Sequence, residues 1–286
     1  MKPYLMILPV VLLLSVFILG LINGLLESFG IMPAVGLTRF TLSYYQEVLA
    51  NVNLTTSLFL SLYISLVSSL IAVVLGVLIS VAATASGLVK SKFFEIVKIP
   101  VIIPHTVSAL LMINLFSQSG IVARIAYQLQ LIQGQESFLP LMYDQHSIGI
   151  ILTYLWKEIP FVVLVIVTIM ANIDFTLGEA AINLGASKWK VFKTITLPLC
   201  FPSILTSFII IFAFSFGAYE IPYLLGATEP KALPVRTYVE YTHPDLEHRP
   251  YAMVLNSIMI AVSVGITYFY YKILSRNLLK TGVRHD

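Results

Sequence analysis

The run "LWKEIPF" sets Lys157 and Glu158 side by side inside an otherwise apolar stretch. Fourteen Leu, Ile, Val and Phe residues between 148 and 169 favour insertion into lipid by roughly 6 kcal/mol, whereas a central lysine opposes it by about 3 kcal/mol and an acid by a similar amount. The sum is close to zero. Such a segment crosses a bilayer only where its charges face a helix-lined interior, a partner subunit or water. Adjacent helical positions point about 100° apart, so both groups cannot face one pore centre. Two readings stand: one of the pair lines a translocation cavity, or both pair with polar groups on neighbouring helices. Pro160 leaves the Trp156 carbonyl without its helical donor and lets the helix bend beside the pair.

Glu220 lies between Tyr219 and Tyr223 in "FGAYEIPYLLG", toward the outer end of a later apolar stretch. An acid with two aromatic rings can hold a cationic amine by charge and cation–π contact. The same three residues fit an interfacial belt with one acid reaching water. His105 follows Pro104 and fits either a ligand or gate role or the satisfying of backbone freed by a kink. His146, His243 and His248 have no metal-ligand spacing, so no metal site is expected. Cys200 is the single cysteine; it permits no internal disulfide and suits a small packing residue.

The third group of residues is "EAAINLGASKWKVFKTITLP", 179–198, basic and helix-patterned between two apolar stretches. Thr176 with Glu179 fits a capping box at the start of a helix that runs through Ala180, Ala181, Ile182 and Leu184. Gly185 is expected to end it in a left-handed conformation. Ser187 can cap a second helix bearing Trp189, Phe192 and Ile195 at three-residue spacing, with Lys188, Lys190 and Lys193 around them. Pro198 is expected to close that helix. On spacing alone this is a hairpin with its aromatic stripe in lipid headgroups or a surface made for a partner.

The elements that carry these residues follow from composition. The 286 residues are 58% hydrophobic and 11% charged, with mean hydropathy +0.91, where a soluble domain carries roughly 25% charged residues. This is an integral membrane protein, and its scattered lysines and arginines argue against nucleic-acid binding. A helical crossing needs about 20 apolar residues. Six stretches qualify, near 4–26, 54–83, 96–117, 147–171, 200–225 and 251–274. The first is too long for a signal-peptide core and no small-x-small cleavage site follows it, so it is expected to be retained. Pro100 and Pro104 predict a kinked or broken start to the third span. Residues 121–132 predict a short helix on the outer face, and four prolines between 226 and 250 predict irregular backbone there. With the amino terminus inside, the inner segments hold 11 basic residues and the outer ones five, which places both termini in the cytoplasm. The expected layout is a first crossing and outer loop over 1–53, a core of five crossings over 54–275 and a cytoplasmic tail over 276–286.

"EAA", three residues, "G", nine residues and "I-x-LP" resembles the EAA loop in the permease subunits of binding-protein-dependent ABC importers. Glu179, Ala180, Ala181, Gly185, Ile195, Leu197 and Pro198 all match that pattern. "FTLSYYQEVL", "IPVIIPHTVSAL", "IPF" and "FGAYEIPYLLG" extend the resemblance over about residues 40–275, toward the polyamine, ferric-iron and phosphonate branch. It implies an all-helical type I importer permease fold with six crossings, in a bacterial plasma (inner) membrane. It implies that 179–198 forms coupling helices docking in a groove of a separate ATPase, with Glu179 as the charged contact, Ala180 and Ala181 allowing close approach, and Gly185 making the turn. Ser187, Lys188 and Trp189 are expected to belong to the same ATPase-coupling contact. Implied partners are two ATPase copies, a second permease chain and an extracytoplasmic binding protein delivering a small polar solute, polyamine foremost. The chain lacks G-x-x-x-x-G-K-[ST], so ATP and Mg are expected on the ATPase, no cofactor on this chain, and no covalent catalysis here. A secondary transporter or a membrane-embedded enzyme are the other classes; neither explains a capped basic hairpin of this spacing.

Overall fold

A computed structural model describes residues 2–172 and 175–281. In chain order its elements are α1 (Lys2–Ser28), a two-stranded antiparallel ladder of β1 (Ile31–Met32) and β2 (Leu37–Thr38), α2 (Ser43–Ala50), α3 (Val52–Ala85), α4 (Phe93–Ile96), α5 (Ile99–Ile102), α6 (His105–Phe116), α7 (Ile121–Gln128), α8 (Ile148–Asn172), α9 (Phe175–Asn183), α10 (Lys188–Val191), α11 (Leu197–Gly217), α12 (Glu220–Leu225), α13 (Leu233–Tyr241) and α14 (Arg249–Thr281). Among the described residues, six helical stretches are long and apolar enough to cross a membrane: Ile7–Ser28, Val52–Ala85, His105–Gln128, Ile148–Ala171, Lys188–Gly217 and Leu246–Ser275. Backbone polar groups in lipid have no partner but the helix itself, which is why the apolar stretches are helical.

The chain divides into two compact units. Residues 1–60 and 230–263 form the first. There the Phe29 ring stacks on Phe40 at 4.8 Å, Ser28 Oγ and Tyr45 Oη are 2.8 Å apart, the Tyr44 and Tyr251 rings meet edge to face and Tyr251 donates a hydrogen bond to Glu47. The irregular backbone expected between 226 and 250 is corrected by α13. Pro234 lies in its first turn, where a missing N–H is not needed. Pro250 is likewise the second residue of α14.

Residues 61–229 and 264–286 form the second unit. Its core joins Ala72 and Val73 of α3 to Val162 and Ile166 of α8 and Ile211 of α11. A second cluster joins Ala83, Phe94, Val163 and Val167. α3 enters this packing through small residues. Ser61, Ser65, Ser68, Ser69 and Ser80 are all buried, and Ser65, Ser69 and Ser80 return their hydroxyl protons to carbonyls one turn back in the same helix. Small side chains with self-satisfied hydroxyls let helices approach closely in lipid.

Three boundaries differ from those read off the sequence, each for a backbone reason. The stretch 96–117 is not one helix: Ile103 is extended and Pro104 restarts the chain as α6, whose 12 residues span only about 18 Å. α7 ends at Gln128, and Gln130 takes a left-handed conformation at φ 59°, so the helix expected through 132 is shorter. The fifth crossing stops at Gly217, Ala218 is extended and α12 begins afresh at Glu220. Glu220 therefore opens a separate short helix instead of lying in the crossing.

Candidate coupling hairpin and membrane cavity

In the hairpin, Gly185 sits at φ +87°. The Ala186 N–H donates to the Ala181 carbonyl at 3.0 Å and the Gly185 N–H to Ile182 at 2.8 Å. These two bonds define a Schellman stop, which satisfies carbonyls the helix end would leave bare. Ser187 Oγ accepts from the Lys190 N–H at 3.3 Å and caps α10. Both turn assignments drawn from the sequence are what the backbone adopts. α9 begins at Phe175, so Thr176 is already helical; the side-chain contacts of its expected capping box with Glu179 lie outside the described residues.

Pro198 does not close the second helix. Between Phe192 and Thr196 the ladder widens to a π turn, with the Leu197 N–H donating to the Phe192 carbonyl, and the chain runs on into α11. In an α register Pro198 would offer no N–H to the Thr194 carbonyl and its ring would strike it; a wide turn just before the proline eases that conflict. α10, the π turn and α11 are thus one continuous rod, with Ile195, Leu197 and Pro198 at the joint. Glu179, Ala180, Ser187, Lys188 and Trp189 are exposed and Ala181 is half-buried. Leu184 is 90% exposed and Trp189 70% exposed, the indole ring 5.5 Å from that of Phe192. The tip presents apolar side chains that nothing among the described residues covers.

The second candidate site is a cavity of about 200 Å³ whose wall includes His105, Tyr154, Lys157, Glu158, Ile211 and Phe214. It brings His105 of α6 together with the Lys157–Glu158 pair of α8, about 50 residues further along the chain. The pair diverges as helical geometry requires. Lys157, 8% exposed, donates from Nζ to the carbonyls of Pro100 at 2.9 Å and Ile103 at 2.5 Å. Glu158, 4% exposed, is turned toward Ser68 of α3 and Ser215 of α11. Neither carboxylate oxygen reaches hydrogen-bond geometry with a described residue; the Ser68 and Ser215 hydroxyls lie against carbonyls of their own helices, at 3.4 and 2.8 Å. The His105 ring lies 4.7 Å from that of Phe214.

Tyr219 and Tyr223 stack at 4.9 Å, and Glu220 is exposed at the start of α12, close enough to act on His105 through its charge. Sequence reasoning missed Tyr154, fully buried one turn before Lys157 with its hydroxyl 3.5 Å from the Ser215 carbonyl. It also missed Ser68 and Ser215. The spacing of Ser57, Ser61, Ser65 and Ser69 every fourth residue was a readable signal. A larger, open depression of about 610 Å³ beside α7 is lined by glutamines and contains none of the candidate residues.

The hairpin, the broken third crossing and the six apolar helices together define a membrane permease of the importer class. The chain belongs to the family of binding-protein-dependent transport system inner membrane components, matched over residues 72–280. It is 28% identical over 176 residues to the molybdenum transport system permease protein ModB of Haemophilus influenzae, covering 60% of this chain and 73% of that one. It is 27% identical over 177 residues to the probable sulfate transport system permease protein cysT of Marchantia polymorpha, covering 62% and 58%. Among solved structures, a bacterial ABC transporter involved in the import of the acidic polysaccharide alginate superposes with a TM-score of 0.80 at 19% identity, covering 96% of this chain and 95% of that one. At that identity the likeness speaks to fold, and the fold is the expected helical type I importer permease. Family membership selects the importer subunit over the secondary transporter and the membrane enzyme. The branch expected from the sequence gains no support, since these relatives are named for molybdenum and sulfate.

Proposed function

We propose that this chain is the membrane-spanning subunit of an ATP-driven importer for a small tetrahedral oxyanion of the molybdate or sulfate kind. Support for the solute class comes from the molybdenum and sulfate permeases among its relatives. Support for the mode of action comes from the hairpin at 175–191, whose capped turn holds exposed Leu184 and Trp189 on a rod continuous with a crossing. That hairpin docks on a separate ATPase, which binds ATP and Mg, and Glu179 makes the charged contact. Closure of two ATPase copies then pushes the rod and swings the solute path between inward-facing and outward-facing states. Both termini lie in the cytoplasm, a second permease chain completes the path and an extracytoplasmic binding protein delivers the solute.

The cavity around His105, Lys157 and Glu158 is a stretch of that path. Its wall is largely apolar, which suits passage better than tight holding, because a conducted solute must also leave. Discrimination among solutes therefore rests mainly with the binding protein. The carrying observation is the Schellman-stopped, serine-capped hairpin with an uncovered apolar tip. The test is uptake of labelled molybdate and sulfate by vesicles holding the co-expressed transporter, with ATP supplied on the ATPase side. ATP-dependent uptake that Glu179→Ala diminishes is expected. Uptake without ATP, driven by an ion gradient, would overturn the proposal.

A further inference from the structure

Pro104 has no N–H, so the Pro100 carbonyl has no helical donor four residues on. α5 also ends there: the Ile103 N–H closes the last turn on the Ile99 carbonyl, and Ile103 then turns extended at φ −67°, ψ 131°. The carbonyls of Pro100 and Ile103 are thus released at one place, inside a segment that lipid or a cavity must accommodate. Unpaired carbonyls in such surroundings are costly. Lys157 of α8 supplies the missing donors to both, and it is 92% buried, that is 8% exposed, while doing so.

We propose that Lys157 is a positioning residue for transport: its ammonium replaces the backbone donor that Pro104 lacks and holds the broken third crossing where it shapes the cavity wall. With two of its three N–H donors held by carbonyls, the ammonium acts by fixing the wall in place. The break it holds carries two wall residues, Val101 just before and His105 just after. Helices broken at membrane depth are tolerated only where another group re-satisfies the backbone, and a lysine fixed on the neighbouring crossing does so with a defined reach. This function does not depend on which solute is carried, so its failure is separable from failure of the oxyanion reading.

The test is the labelling rate of Val101→Cys by a membrane-impermeant thiol reagent in the reconstituted full transporter, with Cys200→Ser as background. Val101 is 38% exposed, so its reactivity reports where the break stands. Lys157→Met should change the rate by about tenfold or more, tenfold being the size expected from losing even one charge-assisted hydrogen bond. Lys157→Arg, which keeps several donors, should restore it to roughly the starting rate. The decisive comparison adds Pro104→Ala, which gives the Pro100 carbonyl an N–H of its own. In that background Lys157→Met should change the rate by a clearly smaller factor than in the parent, because the two substitutions share the Pro100 carbonyl while the Ile103 carbonyl still loses its donor. Should the methionine variant fail to assemble, the double variant should assemble where the single one does not. Multiplicative effects of the two substitutions, or unchanged labelling in Lys157→Met, would overturn the proposal.

Discussion

A Cβ placed on Gly76 would lie 2.6 Å from Cγ1 and 2.7 Å from Cβ of Val162. α3 and α8 therefore touch at this level with no room for a methyl group, and the contact lies beside the core cluster of Ala72, Val73, Val162 and Ile166. The neighbour that would have to yield is the stiff, branched root of a valine, not the free end of a long chain. Gly76→Ala should cost about 1–3 kcal/mol by overpacking. Val162→Ala made together with it should return part of that loss. Thermal unfolding of the purified complex checks both, and an unperturbed melting point for Gly76→Ala would show that the helices can part freely.

Gly185 differs from Gly76 in what it requires. A Cβ there meets nothing within 4 Å, but the backbone stands at φ +87°. Gly185→Ala should cost the hairpin about 1–2 kcal/mol, and Gly185→Asn should cost less because asparagine tolerates left-handed angles. Protease sensitivity between Asn183 and Lys188 should rise in the same order.

Ser187→Ala removes the acceptor of the Lys190 N–H and should destabilise α10 by about 1 kcal/mol, while Ser187→Asp should preserve the cap. The measurement is hydrogen exchange of the Lys190 amide: faster in the alanine variant, near the starting rate in the aspartate variant.

How much of this was readable in advance depends on whether the controlling force was local. The stop at Gly185 and the cap at Ser187 were legible because backbone angle and side-chain reach are set within a few residues. The break before His105 was legible for the same reason, through Pro100 and Pro104. Pro198 and Pro234 misled, because a proline within the first turn of a helix looks in sequence like one that ends a helix; at Pro198 the π turn hides the distinction further. The partners of Lys157 and Glu158 were not legible. Their side chains diverge around α8 as their adjacency required, but that one meets the carbonyls of Pro100 and Ile103 and the other Ser68 and Ser215 is decided by packing across more than 50 residues of chain. Tyr154 escaped for a simpler reason: an aromatic residue in an apolar run carries no sign of where its hydroxyl points.

In the first unit, burial and then the carboxylates of Glu247 and Glu47 raise the pKa of Tyr44 above the ordinary 10.0 of tyrosine. The folded state holds that proton more tightly than the unfolded state does. The resulting stability is fully present below the ordinary value and is lost as pH rises through the folded one. Melting temperature should therefore fall above about pH 10, and Tyr44→Phe should flatten that fall. An equal slope in the phenylalanine variant would assign the loss to other groups.

The hairpin's partner is settled most directly at its tip. A photoreactive benzophenone amino acid in place of Leu184, which is 90% exposed, should capture whatever covers that side chain when the assembled transporter is irradiated in native membranes. An adduct with the mass of the permease plus an ATPase subunit is the expected product, weakened by Glu179→Ala. Adducts with lipid alone, from membranes in which the transporter is active, would contradict the assignment of residues 179–198 as the grip of the ATPase.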